Sequence, residues 1–148
     1  MTHDQNAPSI TDNAHPFRLR VVPWWTDDCS TFLNNVFKWL PATLTAPPVT
    51  LEFGGGNSTL YLLGKGSRVV TIESDDRYID FIASAARNIG FKTASVSAES
   101  FSLDLVAHHD LVIIKAKEYA DVSHLVTAER WDFIVNDGIA RKELLSTI

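Results

Sequence analysis

VTLEFGGGNSTLYLLGKGSRVVTIESDD, residues 49–76, is the stretch that decides the fold. VTLEF (49–53) has few polar interruptions, as strands covered on both faces do, and it runs into three glycines. Asn57, Ser58 and Thr59 follow and can cap a short helix, TLYLLG, that Gly64 ends. RVVTIE (68–73) is a second strand. Strand, tight turn, helix and strand in this order make a parallel β-α-β unit. Both strands carry an acid near their ends, Glu52 in the first and Glu73 in the second.

The pattern continues in both directions. Upstream, DDCSTFLNNVFKWLP reads as a helix, because Cys29, Phe32, Leu33, Val36, Phe37 and Leu40 fall on one stripe. Thr26 or Asp27 can cap its start and Pro41 is expected to stop it. Downstream, Asp75 to about Ile89 is the clearest helix, with Tyr78, Phe81, Ile82, Ala85, Ala86 and Ile89 as its buried stripe and Gly90 closing it. The next strand lies in FKTASVS or in DLVIIKA. The second is the better strand, with the preceding segment read as an insertion that includes a short helix in AESFSLDLVAHH. WDFIVND (131–137) is a further strand, followed by Gly138 and the start of a helix, ARKELLSTI.

These elements divide the chain into a disordered leader (1–15), an N-terminal arm and helix (16–46) and a partial α/β domain (47–148). An α/β sheet usually continues past this point, so the chain reads as a fragment truncated after this fourth strand, or else as an unusually minimal sheet. A sheet cut there leaves one edge open to pairing, including pairing with a second copy as a homodimer.

Composition excludes several classes. With 148 residues and 45% apolar content the chain can bury one core. A net charge of −5 without basic runs gives no reason for general nucleic-acid binding. A single cysteine, Cys29, forbids an intrachain disulfide and fits a reducing, cytoplasmic compartment. No apolar run approaches the roughly 18 residues that span a bilayer, so no membrane partner is expected.

Glycines after a strand let a ligand approach the main chain, and the helix that follows turns its positive end to an anion. Glu73 stands 19 residues after Gly54, about the distance at which a carboxylate meets a ribose diol. A nucleoside-type site follows. A dinucleotide pattern, Gly-x-Gly-x-x-Gly, would need a third glycine where Thr59 stands. Glu52 would also repel a pyrophosphate, whereas it suits a ligand carrying an ammonium group. S-adenosylmethionine has an ammonium, a sulfonium, one carboxylate and a ribose, and suits the loop better.

With these residues in view, the chain resembles the N-terminal half of a class I S-adenosylmethionine-dependent methyltransferase. LEFGGGNSTLYL resembles the first motif of that family and VVTIESDDRYIDF its second strand with the ribose-binding acid. WDFIVNDGIAR resembles its fourth strand, and PWWTDDCSTFLNNVFKWL is similar to the helical lead-in of one subgroup. The resemblance implies a Rossmann-like three-layer α/β sandwich with a mostly parallel sheet, incomplete at the C-terminus, with an N-terminal helical extension. It implies that Glu52, Gly54, Gly55 and Gly56 surround the methionine portion, with Asn57 and Ser58 beside them. Glu73 would take the ribose hydroxyls, Ser74 or Asp75 would flank the adenine, and Asp137 would face the transferred methyl as the catalytic residue.

Asn136-Asp137-Gly138-Ile139 lacks the prolines and aromatic with which nitrogen-methylating members often end this strand, which disfavours adenine or glutamine as acceptor. Ile139 stands where metal-dependent members place a second acid, which speaks against a divalent metal. The acceptor stays open. Two other functions compete: a nicotinamide-dinucleotide oxidoreductase, opposed by Glu52 and Thr59, and a non-catalytic methyltransferase-like module used for protein contacts.

Simpler roles compete at single residues. Asp137 before Gly138 suits a turn, Arg141 suits a surface pair, and Trp24 and Trp25 suit packing of the lead-in helix. His108 and His109 diverge as neighbours must and suit a solvated turn. Cys29 suits a small buried position, and Tyr119 resembles a subgroup tyrosine without an assigned role.

Overall fold

A computed structural model describes residues 26–122, 124–125 and 131–136. The leader, Trp24, Trp25, Asp137 and Arg141 lie outside the described residues. Helix α1 (Asp27–Thr43) leads into strand β1 (Val49–Phe53), α2 (Asn57–Gly64), β2 (Arg68–Glu73) and α3 (Asp76–Asn88). Then come β3 (Thr93–Ser97), α4 (Leu103–His108), β4 (Leu111–Lys115) and β5 (Phe133–Asn136), with 3-10 turns at Ala98–Ser100 and Tyr119–Val122. The strands form one sheet in the order β3-β4-β2-β1-β5, and every pairing is parallel. The fold is a Rossmann-like three-layer α/β sandwich.

Both FKTASVS and DLVIIKA supply strands. Their positions explain their different composition. β4 lies between β3 and β2, and all four of Leu111–Ile114 are buried; β3 is an edge strand whose Ser95 and Ser97 are exposed. A covered strand needs apolar residues on both faces, while a polar edge discourages further pairing.

The sheet has a core on each face. Leu51, Phe53, Val70, Ile72, Val112 and Ile114 pack under Val106 of α4, Val122 and Leu125. On the other face Val69, Leu111 and Ile113 pack against α1, α2 and α3 through Leu33, Phe37, Leu62, Ile79, Ile82 and Ala86. The chain thus leaves β1 toward β2 across one face and returns to β5 across the other. The two directions part between β1 and β5, and ligands of open α/β sheets bind outside the carboxyl ends of the strands at such a point.

Several local expectations are corrected. Pro41 does not stop α1, which runs to Thr43; its missing N–H removes the bond to the carbonyl four residues earlier, and the helix ends within a turn. Leu33 and Phe37 are buried, Cys29, Val36 and Leu40 are partly covered, and Phe32 stays exposed beside Trp39 because the sheet meets only one side of the stripe. In α3 the buried face is Ile79, Ile82, Ala83, Ala85 and Ala86. Tyr78 and Phe81 are half-buried and Ile89 is exposed, because the helix ends at Asn88 and Ile89 is its cap. Thr26 caps α1, its side chain accepting the Cys29 N–H at 3.2 Å. Among the described residues no helix is long and apolar enough to cross a membrane.

Gly64 is the last residue of α2, but the turn that follows needs Gly66, whose φ is +81° and whose N–H bonds the Leu63 carbonyl. A Cβ at Gly64 would meet nothing within 4 Å. Gly64→Ala is therefore expected to stabilise the protein by about 0.5–1 kcal/mol, through helix propensity. Gly66→Ala is expected to destabilise it by about 1 kcal/mol, the strain of a left-handed residue with a Cβ. Thermal unfolding of the two variants should move in opposite directions.

Candidate functional site

The glycine turn leaves the sheet at the carboxyl end of β1. Gly54 has φ +87°, a conformation costly for any residue with a Cβ, and its N–H bonds the Ile72 carbonyl at 2.9 Å. Gly55 is needed for space: a Cβ there would lie 2.8 Å from Ile82 Cδ1 and 3.0 Å from Thr71 Oγ1. Gly56 has φ 172°, ordinary extended backbone, and is the N-cap of α2. Asn57, Ser58 and Thr59 are therefore the first three residues of the helix rather than its caps. Ser58 and Thr59 are buried and Asn57 is half-covered.

The two acids lie on one face of the sheet. Glu52 pairs with Thr71 in register, so both point the same way, and Glu73 is two residues further along that face. Glu52 is completely buried under α2, and its Oε2 accepts the Thr59 hydroxyl at 2.5 Å. Thr59 Oγ1 in turn accepts the Gly56 N–H at 2.9 Å. Glu73 is half-buried. Its Oε2 accepts the Gly55 N–H at 3.1 Å, and its Oε1 accepts the N–H groups of Ser74 at 2.7 Å and Asp75 at 3.0 Å. The N–H groups of all three glycines are thus held by the protein itself, and the turn is braced from two strands. A carboxylate has about four acceptor sites, so Glu73 Oε2 keeps capacity for one more donor.

Ser74 is exposed beyond β2. Asp75 caps α3, accepting the Arg77 N–H at 2.9 Å, and pairs with the Arg77 guanidinium at 2.8 Å. Hydrogen bonding to Arg77 lowers the Asp75 carboxyl from 3.8 to about 2. Tyr78 lies against Gly56, its Cε1 3.4 Å from where a Cβ would stand. On the next strand, Lys115 pairs with Asp76. Beside it a cleft of about 640 Å³ opens at the carboxyl ends of β3 and β4, lined by Ser97, Glu99, Phe101, Lys117 and Asp121 among others.

Glu52, Gly54, Gly55, Gly56, Glu73 and the first turn of α2 therefore come together. Asp137 follows Asn136, the last residue of β5, which sits in register with Phe53. The residue that sequence reading undervalued is Thr59, taken as one of three possible helix caps and as a missing third glycine. Its signal was a hydroxyl seven residues after Glu52 and three after the cap, where it can face both.

No family model, curated protein or solved structure matches the chain.

The remaining polar candidates are occupied elsewhere. His108 Nε2 lies 3.7 Å from Asp104, whereas His109 Nδ1 lies 2.9 Å from the Leu105 carbonyl oxygen. Among the described residues no three His, Cys, Asp or Glu side chains gather as a metal site.

Two outcomes follow from this geometry. Gly55→Ala is expected to lower stability by about 1–3 kcal/mol, because the added methyl overpacks the gap between the turn, Thr71 and Ile82. Chemical denaturation checks it. The Asp75 carboxyl should titrate at about 2 by NMR and return toward 3.8 in Arg77→Ala. Since the folded value is depressed, the associated stability is present above the unfolded pKa of about 3.9 and is lost as pH falls through about 2.

Proposed function

We propose that residues 49–76 bind S-adenosylmethionine and that the chain is the cofactor-binding part of a methyltransferase. The observation that carries this reading is the occupancy of the glycine turn. A dinucleotide is held largely by main-chain N–H groups that meet its pyrophosphate. Here the N–H groups of Gly54, Gly55 and Gly56 are already bonded to Ile72, Glu73 and Thr59. A ligand with two phosphates would find those donors spent and a carboxyl group behind them. A ligand with one carboxylate needs only the positive end of α2. Glu73 sits where a ribose can meet its remaining acceptor site, and the cleft past β4 has room for a base on the far side.

S-adenosylmethionine supplies a methyl group already activated for in-line displacement. The chain's part is therefore alignment more than acid or base strength. The braced turn would hold the amino-acid portion, and Glu73 would orient the ribose. Asp137, the residue after β5, would orient the acceptor or take its proton.

Isothermal titration of the 148-residue chain tests the reading. S-adenosylmethionine and its demethylated product should both give heat, and NAD should give none. Glu73→Ala should weaken the cofactor at least about tenfold, the loss of hydrogen bonds to a charged acceptor, with an unchanged circular dichroism spectrum. Binding of NAD with no heat from S-adenosylmethionine would overturn it.

A further inference from the structure

We infer that Thr59 is the specificity-determining residue of the glycine turn: its hydroxyl links buried Glu52 to the Gly56 N–H and thereby withholds that donor from diphosphate ligands. The ligand side of this inference rests on the S-adenosylmethionine reading; the loop side does not.

The hydroxyl is engaged both as donor and as acceptor. A threonine hydroxyl has one hydrogen and two acceptor sites. The hydrogen goes to Glu52 Oε2 at 2.5 Å, and one acceptor site takes the Gly56 N–H at 2.9 Å. Thr59 is 0% exposed, so water does not replace either bond. Glu52 is likewise 0% exposed, with the first turn of α2 between it and the loop. It therefore acts on the ligand site through Thr59, as a positioning residue, and not by touching the ligand.

This changes what the missing glycine means. Gly54, Gly56 and position 59 have the spacing of a dinucleotide pattern, and only Thr59 breaks it. In that pattern the third glycine allows close packing of helix on strand. Here the same position brings a hydroxyl into the gap, and Glu52 below gives the hydroxyl a fixed direction. The pair forms a lock: the acid orients the hydroxyl, and the hydroxyl captures the cap residue's N–H. Serine can make both bonds, valine neither, and glycine both opens the gap and releases Gly56.

Three variants of the 148-residue chain test the inference: Thr59→Ser, Thr59→Val and Thr59→Gly. Amide hydrogen exchange by NMR should find Gly56 protected in the wild type and in Thr59→Ser, and exchanging at least about tenfold faster in Thr59→Val, as for one lost buried hydrogen bond. By titration, Thr59→Ser should bind S-adenosylmethionine within about threefold of wild type, while Thr59→Val should lose about tenfold or more. Thr59→Gly should gain measurable NAD binding. Thr59→Val removes a hydrogen bond to a buried acid and can fail to fold. In that case Gly56 exchange in the wild type and in Thr59→Ser decides, and fast exchange in either overturns the inference. It is also overturned if Thr59→Val folds and keeps both wild-type Gly56 protection and cofactor affinity, or if NAD binds the wild type as well as Thr59→Gly. If the wild type binds no S-adenosylmethionine but the exchange pattern is as expected, the functional reading fails and the lock stands.

Discussion

A carboxyl group buried in the middle of a parallel sheet has to be bonded, and Glu52 is bonded to the helix above it. Leaving such a group without a partner costs several kcal/mol, so its bond to Thr59 is a strong constraint on where α2 begins. Once α2 starts there, Gly56 is its cap and the turn between β1 and α2 can hold only three residues. Gly54 takes the positive φ, Gly55 the tight approach to Ile82, and Gly56 the bond to Thr59. Satisfying one buried acid thus helps to fix where the turn meets α2.

The second acid completes the arrangement from the adjacent strand. Glu73 accepts three main-chain N–H groups, one from the glycine turn and two from the residues leading into α3. It thereby ties the ends of β1 and β2 into one rigid rim. A rim whose donors are satisfied internally is preorganised, and binding to it needs little further ordering. The same satisfaction leaves the turn without a free glycine N–H, since those of Gly54, Gly55 and Gly56 are all bonded within the protein.

The placement of the rim comes from the sheet. β1 is flanked by β2 and β5, and the connections on its two sides run over opposite faces. Among the described residues the turn therefore opens where no crossover covers the strand ends. At the outer edge, β3 is polar and half-exposed, which protects the apolar interior of β4. The cleft beside them exists because that extra strand widens the sheet beyond β4.

Much of this was legible in the sequence, and the reason is locality. The β-α-β unit of residues 49–76 was readable from glycines, an apolar run and a hydrophobic helix that are neighbours in the chain. The α3 helix was readable from its acid-rich start and Gly90. Where reading failed, the deciding contact was distant. Ile89 belongs to the α3 stripe by spacing, but the helix ends at Asn88 and Ile89, its cap, stays exposed. Phe32 shares a stripe with Leu33, yet only one side of α1 meets the sheet. Glu52 and Glu73 were recognised as a pair from spacing, while their different roles depend on burial. By itself the sequence determined the class of fold and the place of the glycine turn between two acid-bearing strands, since both rest on short-range pattern. Only the tertiary structure decided that Thr59 stands between Glu52 and Gly56. That bond joins a strand to a helix turn, and it exists only when packing brings the two into contact and excludes water.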